Sequence, residues 1–207
     1  MLEISEQPID RRTFFNEVAG HWDSNHSNSA TTEFLEMLIA RLSLEKSQRV
    51  LDVGTGTGIL IPSLAKAVGD LGMVVAVDFS EKMVEAAKQK FSALPNVRIE
   101  LKNAEELDYP DGYFDAAICF GVFPHIQDKE KALEGINRAL KPKGKLLIAH
   151  ALGRKELNHM HSKEAPFLAE DILPTEKQMA KLLKKCGFEV AYIEDQPDHY
   201  LCFSTKR

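Results

Sequence analysis

The chain has 207 residues, of which 44% are hydrophobic and 28% charged, and its formal net charge is −5. This length and apolar content suffice for one domain with a full hydrophobic core, and the acidic balance excludes a broad basic surface for nucleic acid. The three cysteines lie far apart, no apolar run reaches the length of a membrane span, and the first ten residues are too polar for a signal peptide. We therefore expect a cytoplasmic protein, and its oligomeric state stays open.

The N-terminal part of the chain predicts helices that precede the main domain. A loose tail is expected at residues 1–8, and Asp10 is a candidate N-cap for the first helix. The predicted helices run from residue 11 to 20 and from residue 31 or 32 to 41. A polar loop between them holds the only tryptophan, Trp22. We divide the single-domain chain into an N-terminal helical segment, residues 1–45, and a main domain, residues 46–207.

From residue 46 onward, short apolar runs alternate with stretches of helical spacing. Five strands are predicted first, at 49–53, 73–78, 97–101, 114–121 and 146–149. A helix from Thr175 to Cys186 and two final strands, to about Glu194 and from His199 to Thr205, end the chain. Continuous apolar strands such as 73–78 are typical of a parallel sheet covered by helices on both faces. The pattern indicates an α/β fold.

The turn after the first predicted strand carries the most informative motif. Residues 50–58 read VLDVGTGTG, and glycines in such a turn allow close approach of a ligand to backbone amides at a helix start. Dinucleotide-binding loops use the spacing G-x-G-x-x-G, whereas this loop has G-x-G-x-G. Asp52, two residues before the first glycine, would repel a pyrophosphate. A carboxylate there suits a ligand that bears an ammonium group.

Polar residues follow the next strands at the same predicted rim of the sheet. Asp78 ends the second strand, twenty residues after Gly58, where an acid can accept both hydroxyls of a ribose. Its charge disfavours a cofactor with a 2′-phosphate. Residues 103–105, Asn-Ala-Glu, follow the third strand, at the edge where open α/β sheets bind ligands.

These motifs resemble the class I S-adenosylmethionine (SAM)-dependent methyltransferases, whose first motif reads (V/L)-(L/V)-(D/E)-x-G-x-G-x-G, and broadly their small-molecule, quinone-biosynthesis branch. The resemblance covers about residues 14–206. It implies SAM as cofactor and a Rossmann-like, mostly parallel seven-stranded sheet of order 3-2-1-4-5-7-6 with an antiparallel last strand. The chain departs from the family at Lys143, which replaces the first glycine of an L-(K/R)-P-G-G turn. The implied cofactor residues are Asp52, Gly54, Thr55, Gly56, Gly58, Asp78, Phe79, Met83, Asn103, Ala104, Glu105, Phe120 and Gly121.

Two further segments bear on the methyl acceptor. The sequence from Phe14 to Asp23 is similar to an opening that often forms a lid over the active site of small-molecule methyltransferases. The alternative is that Trp22 only packs the helix onto the domain. The segment after the fourth strand lacks the (N/D)-P-P-(Y/F/W) sequence of enzymes that methylate adenine or glutamine. Adenine and glutamine are therefore disfavoured as acceptors, and the resemblance to the small-molecule branch implies a small-molecule acceptor.

Histidines are the candidate catalytic side chains. His125 follows the fourth strand and His150 ends the fifth, so we expect them close together. We name His125 first and His150 second as a general base, which is needed only if the acceptor carries a proton of high pKa. His159 and His161 lie in a long polar connection, residues 151–174, and the imidazoles could instead anchor substrate or bind a metal. Because no carboxylate or cysteine spacing supports a metal, none is predicted.

The implied reaction is in-line transfer of a methyl group from SAM to the acceptor. Two other functions stay open. A nicotinamide-dependent oxidoreductase would share the sheet and Asp78, but the glycine spacing and Asp52 disfavour it. A SAM-binding protein without turnover would share the cofactor motifs entirely. The sequence names neither the acceptor nor the atom that is methylated.

Overall fold

A computed structural model describes residues 10–23, 31–164 and 166–207. The predicted tail and most of the polar loop after Trp22 lie outside these ranges. The helices are α1 (Arg11–Val18), α2 (Thr32–Leu42), α3 (Ile61–Val68), α4 (Glu81–Phe91), α5 (Lys129–Ala139), α6 (Arg154–Glu164) and α7 (Glu176–Lys185). The strands are β1 (Arg49–Val53), β2 (Met73–Asp78), β3 (Val97–Leu101), β4 (Phe114–Phe120), β5 (Leu140–His150), β6 (Phe188–Gln196) and β7 (His199–Lys206).

Within the described ranges, the strands form one seven-stranded sheet of order β3-β2-β1-β4-β5-β7-β6. Neighbouring strands from β3 to β5 are parallel, whereas β7 runs antiparallel to both β5 and β6. Parallel strands need crossover connections, which α3, α4 and α5 supply. The predicted fold class, strand order and antiparallel last strand are confirmed.

The central strands are buried because helices cover both faces of the sheet. In β1 and β2 every residue after the first is buried. Leu51 and Val53 join the core on one face, and Val50 joins the core on the other. Side chains alternate across a strand, so a strand with two covered faces needs a continuous apolar run. Asp52 interrupts that run, which makes it unusual.

Side-chain caps fix where the helices begin. The predicted N-cap Asp10 accepts a hydrogen bond from the backbone amide of Thr13, and Thr175 forms the predicted capping box with Gln178. Ser80 caps α4 by accepting a bond from the Met83 amide. Because Ser80 follows the second strand after a single residue, this cap places Asp78 beside the start of a helix.

The structure differs from the expectation of a polar connection at residues 151–174. Most of this segment is α6 and a 3-10 turn at Pro166–Glu170. The amide of Arg154, the first residue of α6, donates to the Asp195 carboxylate at 2.8 Å, and Leu157 is the buried apolar contact of the first turns. This helix has few apolar residues, and its start is capped by a residue far away in the sequence. The sequence therefore shows no hydrophobic pattern with a helical period here.

The fifth strand is longer than expected and begins at Leu140 instead of residue 146. Leu140 pairs with Phe114, and the register then shifts before Ala116 pairs with Lys145. Lys143 lies in this irregular stretch with a φ of 63°. The residue that replaces the family's glycine therefore adopts the left-handed conformation that a glycine would favour.

Candidate active site

The glycine loop between β1 and α3 is fixed by close contacts that exclude side chains. Gly54, Gly56 and Gly58 have φ values of 69°, 56° and 92°. A Cβ on Gly54 would lie 2.2 Å from the Val122 side chain, in the turn after β4. The amides of Gly54 and Thr55 donate to the Val77 carbonyl at 2.8 and 2.9 Å. The loop is therefore held between the ends of β2 and β4.

Two buried carboxyl groups flank this loop. Asp52 is 1% exposed and accepts a hydrogen bond from the Thr55 hydroxyl at 2.7 Å. Burial raises the pKa of Asp52 to about 7, and the nearby charge of Asp78 adds to the rise. Asp78 accepts bonds from the amides of Gly56 and Ser80 at 2.8 and 2.9 Å. Burial raises the pKa of Asp78 too, and these amides oppose the rise.

A cavity of about 260 Å³ opens at this rim of the sheet. Several of the predicted cofactor residues line it, namely Gly54, Asp78, Phe79, Asn103, Ala104 and Glu105. His125, the first candidate base, lines the same cavity. Arg11, Val122 and Gln127 also border it, and sequence reasoning assigned none of them a role in the site. The cavity therefore joins the expected cofactor residues to the expected catalytic residue.

The other predicted cofactor residues have contacts of their own. Met83 is buried and packs with Phe15 beneath α1, and Phe120 packs against Phe34 with ring centroids 6.2 Å apart. Gly121 has a φ of 69°, and its amide donates to the Ala149 carbonyl at 2.9 Å. These contacts explain the residue types structurally, and a cofactor role for them stays a prediction.

The N-terminal helix lies over the site. The ring centroid of Phe15 on α1 lies 5.1 Å from that of His125 and 5.8 Å from that of Phe79. Trp22 packs against Phe15, and its indole nitrogen lies 3.8 Å from where a Cβ on Gly56 would be. The N-terminal helix therefore packs at the cavity, with Trp22 part of the same packing, and a lid role for it stays a prediction.

His125, which lines the cavity, lies close to His150 and His161. Nδ1 of His125 lies 2.8 Å from an Asp171 carboxylate oxygen, and its ring centroid lies 4.8 Å from that of His161. Burial lowers the pKa of His125, and the bond to Asp171 opposes that shift. Burial lowers the pKa of His150 to about 3, with His125 and His161 adding to the shift.

The geometry does not support the alternative of a metal bound by His159 and His161. His161 is 3% exposed, and its Nδ1 lies 2.7 Å from the Asp171 carbonyl oxygen, whereas His159 lies on the exposed surface of α6. Side chains that are two positions apart on a helix do not lie on the same face. In the described ranges, no group of three or more histidine, cysteine or acidic residues could hold a metal ion.

Sequence reasoning missed the polar group that holds His125. Asp171 is 1% exposed, and its carboxylate accepts hydrogen bonds from His125 and from the Arg11 guanidinium. Burial by itself would raise the pKa of Asp171, but the bonds from His125 and Arg11 hold it at about 2. No motif marks Arg11 or Asp171, because 160 positions separate them in the chain.

Comparisons with known proteins identify the family of the chain. Residues 51–148 match a family model described as a methyltransferase domain. The ubiquinone/menaquinone biosynthesis C-methyltransferase UbiE of Hydrogenovibrio crunogenus is 34% identical over 194 residues, which are 87% of this chain and 73% of that protein. UbiE of Vibrio parahaemolyticus is 35% identical over 142 residues, which are 65% of this chain and 54% of that protein. A SAM-dependent methyltransferase from Aquifex aeolicus shares the fold, with a TM-score of 0.77 and 24% identity over 93% of this chain and 98% of that one.

The chain belongs to the class I SAM-dependent methyltransferases. Within that family it resembles the type named for ubiquinone and menaquinone biosynthesis. Because the chain belongs to this family, SAM is its cofactor, and the alternative of a nicotinamide-dependent oxidoreductase is not supported.

The residues at the rim fit SAM chemically. A buried carboxyl group with a raised pKa, such as Asp52, gains most from a cationic partner, and SAM carries an ammonium group at its amino-acid end. Each Asp78 oxygen accepts one amide, so lone pairs remain for ribose hydroxyls. Asp52 would therefore hold the ammonium group and Asp78 the ribose.

Proposed function

We propose that the chain methylates a ring carbon of a small hydroxylated aromatic acceptor, with His125 as general base. One observation carries this proposal: His125 lines the same cavity as the cofactor residues Gly54 and Asp78, and its Nδ1 is bonded to the buried carboxylate of Asp171. The relatives are named C-methyltransferases of ubiquinone and menaquinone biosynthesis, which supports a ring carbon as the nucleophile.

SAM, when bound, supplies a methyl group that its sulfonium has already activated. A ring hydroxyl that loses its proton makes the adjacent ring carbon strongly nucleophilic, because the phenolate charge spreads onto that carbon. His125 would take this proton at Nε2, since Nδ1 is engaged by Asp171. Because burial lowers the pKa of His125, the ring is neutral near pH 7 and can accept a proton.

The bond changes balance without an additional reactant. The ring carbon forms its bond to the methyl carbon while the methyl–sulfur bond breaks, and the electron pair of that bond stays on sulfur. The same ring carbon then loses its hydrogen as a proton to water, and the ring oxygen takes a proton back from the His125 imidazolium, which restores the aromatic ring and the neutral base. The chain's own contribution is alignment of the ring and removal of a proton.

The surroundings of His125 suit a flat, uncharged ring. Phe15 and His161 present ring faces or edges to His125 at centroid distances of 5.1 and 4.8 Å. Arg11 and Asp171 offset each other's charge beside it. Aromatic walls and an internally neutralised ion pair favour an aromatic acceptor over a charged aliphatic one.

The test is methyl transfer from isotope-labelled SAM to a panel of hydroquinones, catechols and amines of similar size. We expect a product one methyl group heavier from a hydroquinone, with the label on a ring carbon by NMR. A label found only on oxygen or nitrogen would contradict the proposed acceptor chemistry. SAM binding without transfer to any member of the panel would favour the SAM-binding function without turnover.

Three further expectations stay predictions. We propose that residues 1–45 act as the lid, that nucleic acid is not a substrate, and that the protein works in the cytoplasm. In the described part of the chain, none of the helices combines the length and the apolar character that crossing a bilayer requires.

A further inference from the structure

We propose that Asp171 is a positioning residue for His125, and that Arg11 of α1 holds Asp171, so that the base is assembled only when the N-terminal helix covers the cavity. This inference rests on the proposed role of His125 as base. It adds two residues and a dependence on the N-terminal helix that the family's cofactor motifs do not contain.

The Asp171 carboxylate is a junction between three parts of the chain. It accepts hydrogen bonds from Nε of Arg11 at 2.9 Å, from Nδ1 of His125 at 2.8 Å and from the side-chain Nε2 of Gln127 at 3.4 Å. Its own backbone is fixed as well, because its amide donates to the Leu168 carbonyl at 3.0 Å. A buried carboxylate with this many donors has one stable orientation.

This junction determines which nitrogen of His125 can act. An ionised carboxylate only accepts hydrogen bonds, so Nδ1 of His125 must carry the proton that it donates to Asp171. Nε2 is then the nitrogen with the free lone pair. His161 is fixed in the same way, since its Nδ1 donates to the Asp171 carbonyl oxygen at 2.7 Å, and its ring stands against that of His125.

Arg11 connects this junction to the N-terminal helix. It is the first residue of α1, directly after the N-cap Asp10, and its side chain is 21% exposed. One turn later, Phe15 places its ring 5.1 Å from that of His125. The helix therefore contacts the base directly through Phe15 and is linked to it by Arg11 through Asp171. Displacement of α1 would remove both contacts and leave the buried Asp171 without its cationic partner.

Arg12 provides a matched control on the same helix. It pairs with Glu81 at 3.2 Å, and the two side chains are 51% and 46% exposed. Exposed ion pairs contribute little to stability. Loss of Arg12 therefore removes a positive charge from α1 without touching Asp171.

The charged groups that face His125 come from several elements. Asp171 raises its pKa, whereas Arg11 and His161 lower it. His150 lies close enough to interact electrostatically with His125, and Lys129 donates to the backbone carbonyls of Pro124 and Ile126 on either side of it. Only Arg11 and Asp171 among these are varied in the test, so the other charges act as a constant background.

The first measurement is the tautomer and pKa of His125 by ¹⁵N NMR of histidine-labelled protein, with the signal assigned by its loss in His125→Gln. In Asp171→Asn a single amide oxygen must serve both Arg11 and His125. We expect the oxygen to go to Arg11 and the amide NH₂ to face Nδ1, which would move the His125 proton to Nε2. The pKa of His125 should fall by about one unit.

The second measurement is the acid limb of the pH profile of kcat/KM, which reports the pKa of the free enzyme's base. Asp171→Asn should move this limb to lower pH and Arg11→Gln to higher pH, because the two residues shift the pKa of His125 in opposite directions. Arg11→Gln should lower kcat by about tenfold while the affinity for S-adenosylhomocysteine stays within about twofold. Arg12→Gln should leave the limb and kcat in place.

The inference is overturned if His125 keeps the Nδ1–H tautomer and its pKa in Asp171→Asn. It is also overturned if both variants move the acid limb in the same direction, as general loosening of the fold would do, or if Arg12→Gln matches Arg11→Gln. Should Asp171→Asn unfold, the comparison of Arg11→Gln with Arg12→Gln still decides the question. The NMR result needs no acceptor, so it separates a failure here from a failure of the proposed reaction.

Discussion

The two sides of the cavity are built differently. On the cofactor side, the hydrogen bonds of the two acids join residues close in sequence or at the ends of adjacent strands; for example, Asp52 bonds to Thr55, three positions away. On the acceptor side, His125 bonds to a residue 46 positions away and Arg11 to one 160 positions away. The cofactor side rests on the ends of buried strands, and the acceptor side on α1, α6 and short turns.

This difference separates two tasks. Binding a constant cofactor needs a loop and two acids that the sheet places in a fixed geometry. Selecting an acceptor and activating it needs side chains from elements that can vary or move without disturbing the sheet. Changes on the cofactor side should therefore affect SAM affinity, and changes on the acceptor side should affect turnover.

The strongest test of this separation is His125→Gln. We expect kcat to fall by about 100- to 10,000-fold, the usual contribution of a general base, while the affinity for SAM stays within about twofold. Turnover with a responsive hydroquinone and calorimetry with SAM measure the two quantities. His159→Gln is the control, because His159 lies exposed on α6. Equal losses of affinity and turnover in His125→Gln would contradict the separation.

A comparable change on the cofactor side is Asp52→Asn. The amide can still accept the Thr55 hydroxyl bond but carries no charge for the ammonium group, so we expect SAM affinity to fall by about 100-fold. 5′-Methylthioadenosine lacks the amino-acid end of SAM, and its affinity should change by less than about threefold. Asp111→Asn, at a position 83% exposed, is the control. Equal losses for both ligands would mean that Asp52 acts on the fold instead of the ammonium group.

The sequence predicted the cofactor side well because its signals are local. The glycine spacing, Asp52 and Asp78 can be read from short stretches, and parallel strands bring their carboxyl ends to one rim. It predicted that His125 and His150 would lie close together for the same reason, since both follow adjacent strands. It could not predict Asp171, because a single acid in a polar segment gains meaning only from a contact that the tertiary fold creates.

The pH dependence of SAM binding should distinguish the two sides more finely. Burial raises the pKa of Asp52 to about 7, so the carboxyl is protonated below that pH and must lose its proton to pair with the ammonium group. SAM affinity should therefore rise by about 20-fold from pH 5.5 to 7.5, with proton release detected by calorimetry in buffers of different ionisation enthalpy. A flat profile in the wild type, or the same slope in Asp52→Asn, would contradict this assignment.

The smallest expected effect lies at the opposite rim of the sheet, where β5 begins. Lys143 is exposed with a φ of 63°, a conformation that costs a residue with a Cβ about 1 kcal/mol. Lys143→Gly should relieve most of that strain and raise the melting temperature by about 2 °C. Lys143→Ala removes the same charge but keeps the Cβ, so it should not stabilise the fold. Neither change should alter SAM affinity or turnover, because Lys143 lies near the start of β5 and the site lies at the other end of that strand, where His150 is. An effect on either quantity would show that the sheet transmits strain between its two rims.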